Sequence, residues 1–204
     1  MKVTRIIIPI VSLFLLFCAP AVNAQDPARL IKQVEALSNA EYNFPENEDI
    51  VLFTGSSTIR MWVNVQSYFP DHNVINNGFG GSQMSDLLYF YDDLILKSSP
   101  EVIFIYEGDN DIASEKNSSQ ILKTTKELIG KIKTDLPESD VILISPKPSI
   151  ARWHLSRKYK NLNRKLSKYC DENQNLEFAD VWNAMLDDEG MVFQDIFLED
   201  GLHM

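Results

Sequence analysis

The chain has 204 residues, 45% of them hydrophobic and 24% charged, with a net charge of −10. That length allows one domain with a sizeable core, and the composition is that of an ordinary globular protein. The acidic excess disfavours nucleic acid or an anionic membrane surface as the main partner.

The first elements concern targeting. Lys2 and Arg5 precede an apolar run from Ile6 to Val22, and small residues surround Ala24 before polar Gln25. This is the layout of a secretory signal peptide cleaved after Ala24, too short and wrongly flanked for a membrane anchor. It predicts a secreted or periplasmic protein with no stable membrane insertion. Cys18 near the end of the run raises a lipid-anchored alternative, against which Phe17 stands where a small residue is expected. Loss of Lys2 and Arg5 would reduce 19 basic residues to 17 against 29 acidic ones, a net charge of −12. Cys170 would be the one remaining cysteine, so no intramolecular disulfide could form.

Residues 25–49 read as an N-terminal helix and a lead-in loop. Asp26 supplies a cap, Pro27 a first-turn proline, and Leu30, Ile31, Val34 and Leu37 one apolar face. From residue 50 the pattern alternates, without internal repeats. Strands are expected at Ile50–Thr54, Val74–Asn76, Val102–Tyr106, Val141–Ser145 and Leu176–Ala179. Helices are expected at Gln83–Leu96, Ser118–Asp135 and Arg157–Glu172, the middle one carrying a stripe of Leu122, Leu128, Ile129 and Ile132. This alternation predicts an α/β protein with a doubly wound sheet of about five mainly parallel strands. Ligands bind such sheets at the carboxyl ends of the strands.

Each unusual stretch falls at such an end. Gly55-Ser56-Ser57 follows the first strand, and its hydroxyls fit either a turn, a helix cap or a nucleophile. Gly78, Gly80 and Gly81 follow the second strand and free backbone N–H groups, without the spacing of a dinucleotide fingerprint or a phosphate loop. After the third strand, Asp109 and Asp111 invite a calcium reading, which fails because Ala113 and Ser114 occupy the fifth and sixth positions. Asn110 between them offers a neutral amide donor, suited to stabilising an oxyanion. At the far end Asp200 and His203 are three apart, so one turn can bring a carboxylate beside an imidazole. His72 and His154 have no such partner, and three scattered histidines do not make a zinc site. Cys170 lies late in a helical pattern, where a small buried residue is the ordinary reading.

Together these blocks, in this order, resemble the SGNH (GDSL-like) hydrolases, over residues 50–204. The resemblance implies a three-layer α/β/α, flavodoxin-like fold and a serine-dependent ester hydrolase acting without metal or cofactor. It places the nucleophile at Ser57, with Ser56 where many members have aspartate, and the supporting pair at Asp200 and His203. The oxyanion hole it implies combines the N–H groups of Ser57 and Gly81 with the amide of Asn110. Ser82 also replaces a common aspartate, but extracytoplasmic members with GSS-x-IR-x-W and GFGGS blocks look similar. SPKPSIARW at residues 145–153 is similar to the same group. The G-x-S-x-G elbow of ordinary α/β-hydrolases is absent. Family members usually continue into a closing helix, whereas this sequence ends at Met204; on that ground His203 is expected to be loosely tied.

The substrate is expected to be a small-molecule or glycan ester. Candidates are short acyl esters, acetyl first, on carbohydrates, and lysophospholipid or platelet-activating-factor-like acetyl esters. Trp62, Trp153 and Tyr106 would form a sugar platform if they line the cleft. The alternative is a noncatalytic extracytoplasmic protein that holds a glycan or lipid in the same cleft.

Overall fold

The computed structural model describes residues 26–45 and 49–204. The signal peptide and Cys18 lie outside the described residues. Five strands form one wholly parallel sheet: β1 (Ile50–Gly55), β2 (Asn73–Gly78), β3 (Val102–Tyr106), β4 (Asp140–Ile144) and β5 (Leu176–Ala179). Their order is β2-β1-β3-β4-β5, a doubly wound arrangement whose switch point lies between β1 and β3. The helices are α1 (Ile31–Ser38), entered by a 3-10 turn at Pro27–Leu30, α2 (Ser57–Met61), α3 (Met84–Tyr89), α4 (Tyr91–Leu94), α5 (Asp109–Ala113), α6 (Ser118–Asp135) and α7 (Ser156–Asp171).

The continuous apolar run of β3, VIFIY, follows from burial on both faces. One face presents Leu52, Ile103, Ile105, Val141 and Leu143 to a large core completed by Leu30, Val34, Leu94, Leu128, Ile132, Leu162 and Leu166. Burying each such side chain contributes about 1.5–3 kcal/mol. The other face carries Val51, Phe53 and Val74 against Ile59 of α2 and Val65. There Phe53 stacks on Phe104 of the neighbouring strand at 4.5 Å between ring centroids. The result is three layers, α/β/α, with α2 and the 3-10 turn at Val65–Tyr68 packed on the second face. No helix among the described residues is long and apolar enough to cross a membrane.

Two elements depart from the sequence pattern. The expected helix over Gln83–Leu96 is broken at Phe90, whose ring packs edge-on against Phe79 and Tyr89. Tertiary packing overrides propensity there. Strand β2 extends beyond Val74–Asn76 to Asn73 and to Asn77–Gly78, in parallel register with β1, and the Asn77 amide donates to the Leu94 carbonyl.

Candidate active site

The five residues proposed from sequence converge above the carboxyl ends of β1, β2 and β3. Ser57 opens α2 directly after β1 and faces a polar cleft of about 460 Å³. Gln33, Arg60, Gly80, Gly81, Asn110, Arg152, Leu202 and His203 complete its lining. Ser56 is 1% exposed and turns into the protein. Burial separates two hydroxyls that adjacent positions in sequence leave equivalent.

His203 lies 146 positions from Ser57, and its Nε2 is 2.8 Å from Ser57 Oγ. Its Nδ1 is 2.6 Å from Asp200 Oδ2, while Asp200 Oδ1 accepts from the backbone N–H groups of His203 and Leu202. Those backbone and side-chain bonds hold the Asp200 carboxyl well below the usual carboxylate range. An imidazole bridging a carboxylate and a hydroxyl in this way can act as the base that removes the hydroxyl proton.

The segment bearing the pair is tied at several points, contrary to the loose tether expected for it. Leu198 N–H donates to the His203 carbonyl, and Ala151 N–H to that of Gly201. The buried ammonium of Lys147 donates to the Leu202 carbonyl and lies 4.9 Å from the Phe197 ring centre. Burial pushes Lys147 down to about 8. A base lowered on folding is charged in both states below pH 8, so its desolvation cost is present there. Between pH 8 and 10.5 the folded state releases the proton first, and stability rises with pH. Denaturation of the parent and Lys147→Met at pH 7.5 and pH 10 is therefore expected to show the parent gaining up to about 3 kcal/mol relative to the variant. An equal pH response in the two proteins would contradict a buried ammonium at this point.

Ser57 and two further residues of the cleft lining, Gly81 and Asn110, carry donors with hydrogens to spare. Among the described residues, the backbone N–H groups of Ser57 and Gly81 make no hydrogen bond. Asn110 commits one amide hydrogen to the Ser82 carbonyl, 2.9 Å away, and retains the second. Its orientation is dictated by Arg152, which donates to Asn110 Oδ1 at 3.1 Å and to Asp109 Oδ1 at 2.5 Å. A guanidinium on the carbonyl end forces the amide nitrogen toward the cleft. Two N–H groups and an amide can meet the charge that develops on an ester oxygen.

The surrounding acids serve as pins. Asp109 accepts from Arg152 and Tyr159, while Asp111 accepts from Lys116 and from Met84 N–H. Glu107, 2% exposed, accepts from Ser82 Oγ at 2.5 Å. Burial first, and then Asp111, push its pKa well up, so the neutral form is favoured beneath the glycine loop. Cys170 is buried on α7 and its Sγ donates to the Glu177 carbonyl. Burial pushes its thiol up to about 12, which leaves it unsuited to nucleophilic work.

Sequence reasoning missed Gln33, Arg60, Lys147 and Arg152. Gln33 of α1 braces Gly80 from both sides, accepting from its N–H and donating to its carbonyl. Arg29 adds a bond to the Gly81 carbonyl and an ion pair with Asp86. The N-terminal helix thus supports the site rather than merely leading into the domain. The expected aromatic platform is not formed in this cleft. Tyr106 is 1% exposed, Trp153 stacks on Trp182, and Trp62 lines a separate apolar hollow of about 520 Å³ that shares His203 with the cleft.

Comparisons with known proteins bear on the family and the fold. The model of the GDSL-like lipase/acylhydrolase family matches residues 53–204. Among solved structures, a Streptococcus pneumoniae protein provisionally identified as a platelet activating factor superposes with a TM-score of 0.75 at 22% identity, covering 87% of this chain and 85% of its own. A GDSL-like lipase from Bacteroides thetaiotaomicron gives 0.69 at 21%, with 87% and 88% covered. A catalytic mutant of an acetylxylan esterase from Geobacillus stearothermophilus gives 0.62 at 17%, with 79% and 89% covered. No curated protein matches the chain.

Proposed function

Since the chain belongs to the GDSL-like lipase/acylhydrolase family and is a carboxylic ester hydrolase, we propose that it works by a serine acyl-enzyme mechanism, removing short acyl groups, acetyl first, outside the cytoplasm. The observation that carries this reading is the continuous chain Asp200–His203–Ser57, with 2.6 and 2.8 Å contacts, in a cleft that Gly81 and Asn110 also line. His203 takes the Ser57 proton as Oγ attacks the ester carbonyl, and Asp200 holds the imidazole in the tautomer that can accept it. Ser57 N–H, Gly81 N–H and the Asn110 amide bind the oxyanion; His203 then protonates the departing alcohol. Water enters by the same route in reverse and releases the acid.

The short-acyl reading is supported by the lining around Ser57, whose side chains are mostly polar. The apolar hollow lies beyond Thr58 and His203 and does not include Ser57. The acetylxylan esterase among the structural neighbours supports an acetyl group on a carbohydrate in the same direction. Location outside the cytoplasm rests on the signal-like residues 1–24.

Hydrolysis of p-nitrophenyl acetate and p-nitrophenyl butyrate tests the acyl preference. The expected result is a kcat/KM several-fold higher for acetate. Equal or faster turnover of butyrate would show that the apolar hollow receives the acyl chain, and no turnover of either by folded protein would overturn the esterase mechanism.

A further inference from the structure

Although the protein carries 29 acidic residues, no acidic side chain among the described residues lines the cleft that holds Ser57. Its two cations are Arg152 and Arg60. Arg152 is neutralised by Asp109. Arg60 is exposed and has no ion-pair partner among the described residues.

Its position follows from the helix. Ser57 and Arg60 are three apart on α2, so their side chains emerge on one face with Cβ atoms about 5–6 Å apart. The guanidinium lies against the glycine loop at Gly80, where a Cβ would come within 2.7 Å of Arg60 Nε. A side chain there would displace the charge from the cleft. The loop beside the oxyanion donors thus admits a cation that has no ion-pair partner among the described residues.

From this juxtaposition we propose that Arg60 is an anion subsite beside the nucleophile, and that the natural ester carries a carboxylate on its alcohol part, as an acylated acidic sugar does. The inference rests on the short-acyl reading above, because an acetyl group has no charge of its own and the anion must then belong to the alcohol. A planar guanidinium matches a carboxylate with two parallel hydrogen bonds. A lone arginine suits a monoanion better than a phosphate dianion.

The test compares acetate release from an O-acetylated methyl galacturonoside and from the methyl ester of its carboxylate, which removes the charge with little change of shape. The parent is expected to favour the acid by about tenfold in kcat/KM, the scale of one charge-assisted hydrogen bond. That preference should shrink as salt rises from 20 mM to 0.5 M. In Arg60→Gln the acid-to-ester ratio is expected to fall close to one; in Arg60→Lys part of it should remain. Using the ratio cancels any general loss of activity or stability in either variant.

Absence of a preference in the parent, or an unchanged ratio in Arg60→Gln, would overturn the subsite while leaving the esterase intact. Acetylated glycerol phosphate turned over faster than the uronide would overturn the sugar-acid assignment. No hydrolysis of these esters or of p-nitrophenyl acetate would overturn both the subsite and the reading on which it rests.

Discussion

Replacing Ser57 with alanine is expected to lower kcat/KM for p-nitrophenyl acetate by about 10⁴-fold or more, since it removes the nucleophile of the proposed mechanism and leaves only the oxyanion donors to act. Ser56→Ala, one position earlier, is expected to retain activity within about tenfold. The contrast is sharp because the two side chains have equal chemistry and differ only in direction. Ser57 Oγ is 2.8 Å from His203 Nε2, whereas Ser56 is 1% exposed and does not line the cleft. Purified variants with circular dichroism matching the parent, assayed side by side, decide the matter. Retained turnover in Ser57→Ala would remove the nucleophile from the mechanism, and collapse of both variants equally would point to the turn rather than to a hydroxyl.

The second large effect concerns the turn that aims Ser57. Gly55 has φ +124°, where an L side chain is strained, and a Cβ there would lie 2.1 Å from the Tyr106 carbonyl oxygen. That oxygen is backbone, in the strand paired with β1, and it accepts from Ser56 N–H at 3.0 Å. Relief would require the end of β1 to move away from β3. Gly55→Ala is therefore expected to destabilise the fold by about 4 kcal/mol or more, in the range reserved for backbone strain and overpacking, and to lose esterase activity as α2 shifts. Gly130→Ala is the control. It lies within α6 with open space around it, and is expected to stabilise by about 0.5–1 kcal/mol. Urea midpoints for the two variants measure the difference; similar values would show that the β1–β3 junction is not under the constraint described.

Much of this molecule is local in origin and was therefore readable along the chain. VIFIY at β3 and the apolar stripe of α6 specify their elements through patterns within a few residues, and α6 has the predicted bounds of Ser118–Asp135. The break at Phe90 was not readable, because Phe90 packs against Phe79 in the loop after β2, outside its own helical pattern. Among the site residues, Ser57, Gly81 and Asn110 stood out because each sits in a short unusual block after a strand, and Asp200 and His203 because of their three-residue spacing, although β5 ends at Ala179, well before them. Arg60, Lys147 and Arg152 carried no such mark. An arginine on a helix or in a loop is ordinary until its neighbours are known, and the partners of Arg152 lie 42 and 43 positions away. Gln33 was equally silent, since its contact with Gly80 spans 47 positions.

The sequence by itself determined the class of fold and the chemical inventory: alternating apolar runs that must pair as buried parallel strands, and a serine, an amide and an Asp–x–x–His pair punctuating them. Tertiary structure alone decided how the Ser57 hydroxyl meets the imidazole, which way the Asn110 amide faces, and which cation in the cleft has no ion-pair partner among the described residues. The physical reason is range. Hydrophobic periodicity and turn chemistry act between near neighbours in the chain, while hydrogen-bond direction, burial and charge balance are set by groups that only the crossovers of the β2-β1-β3-β4-β5 sheet bring together.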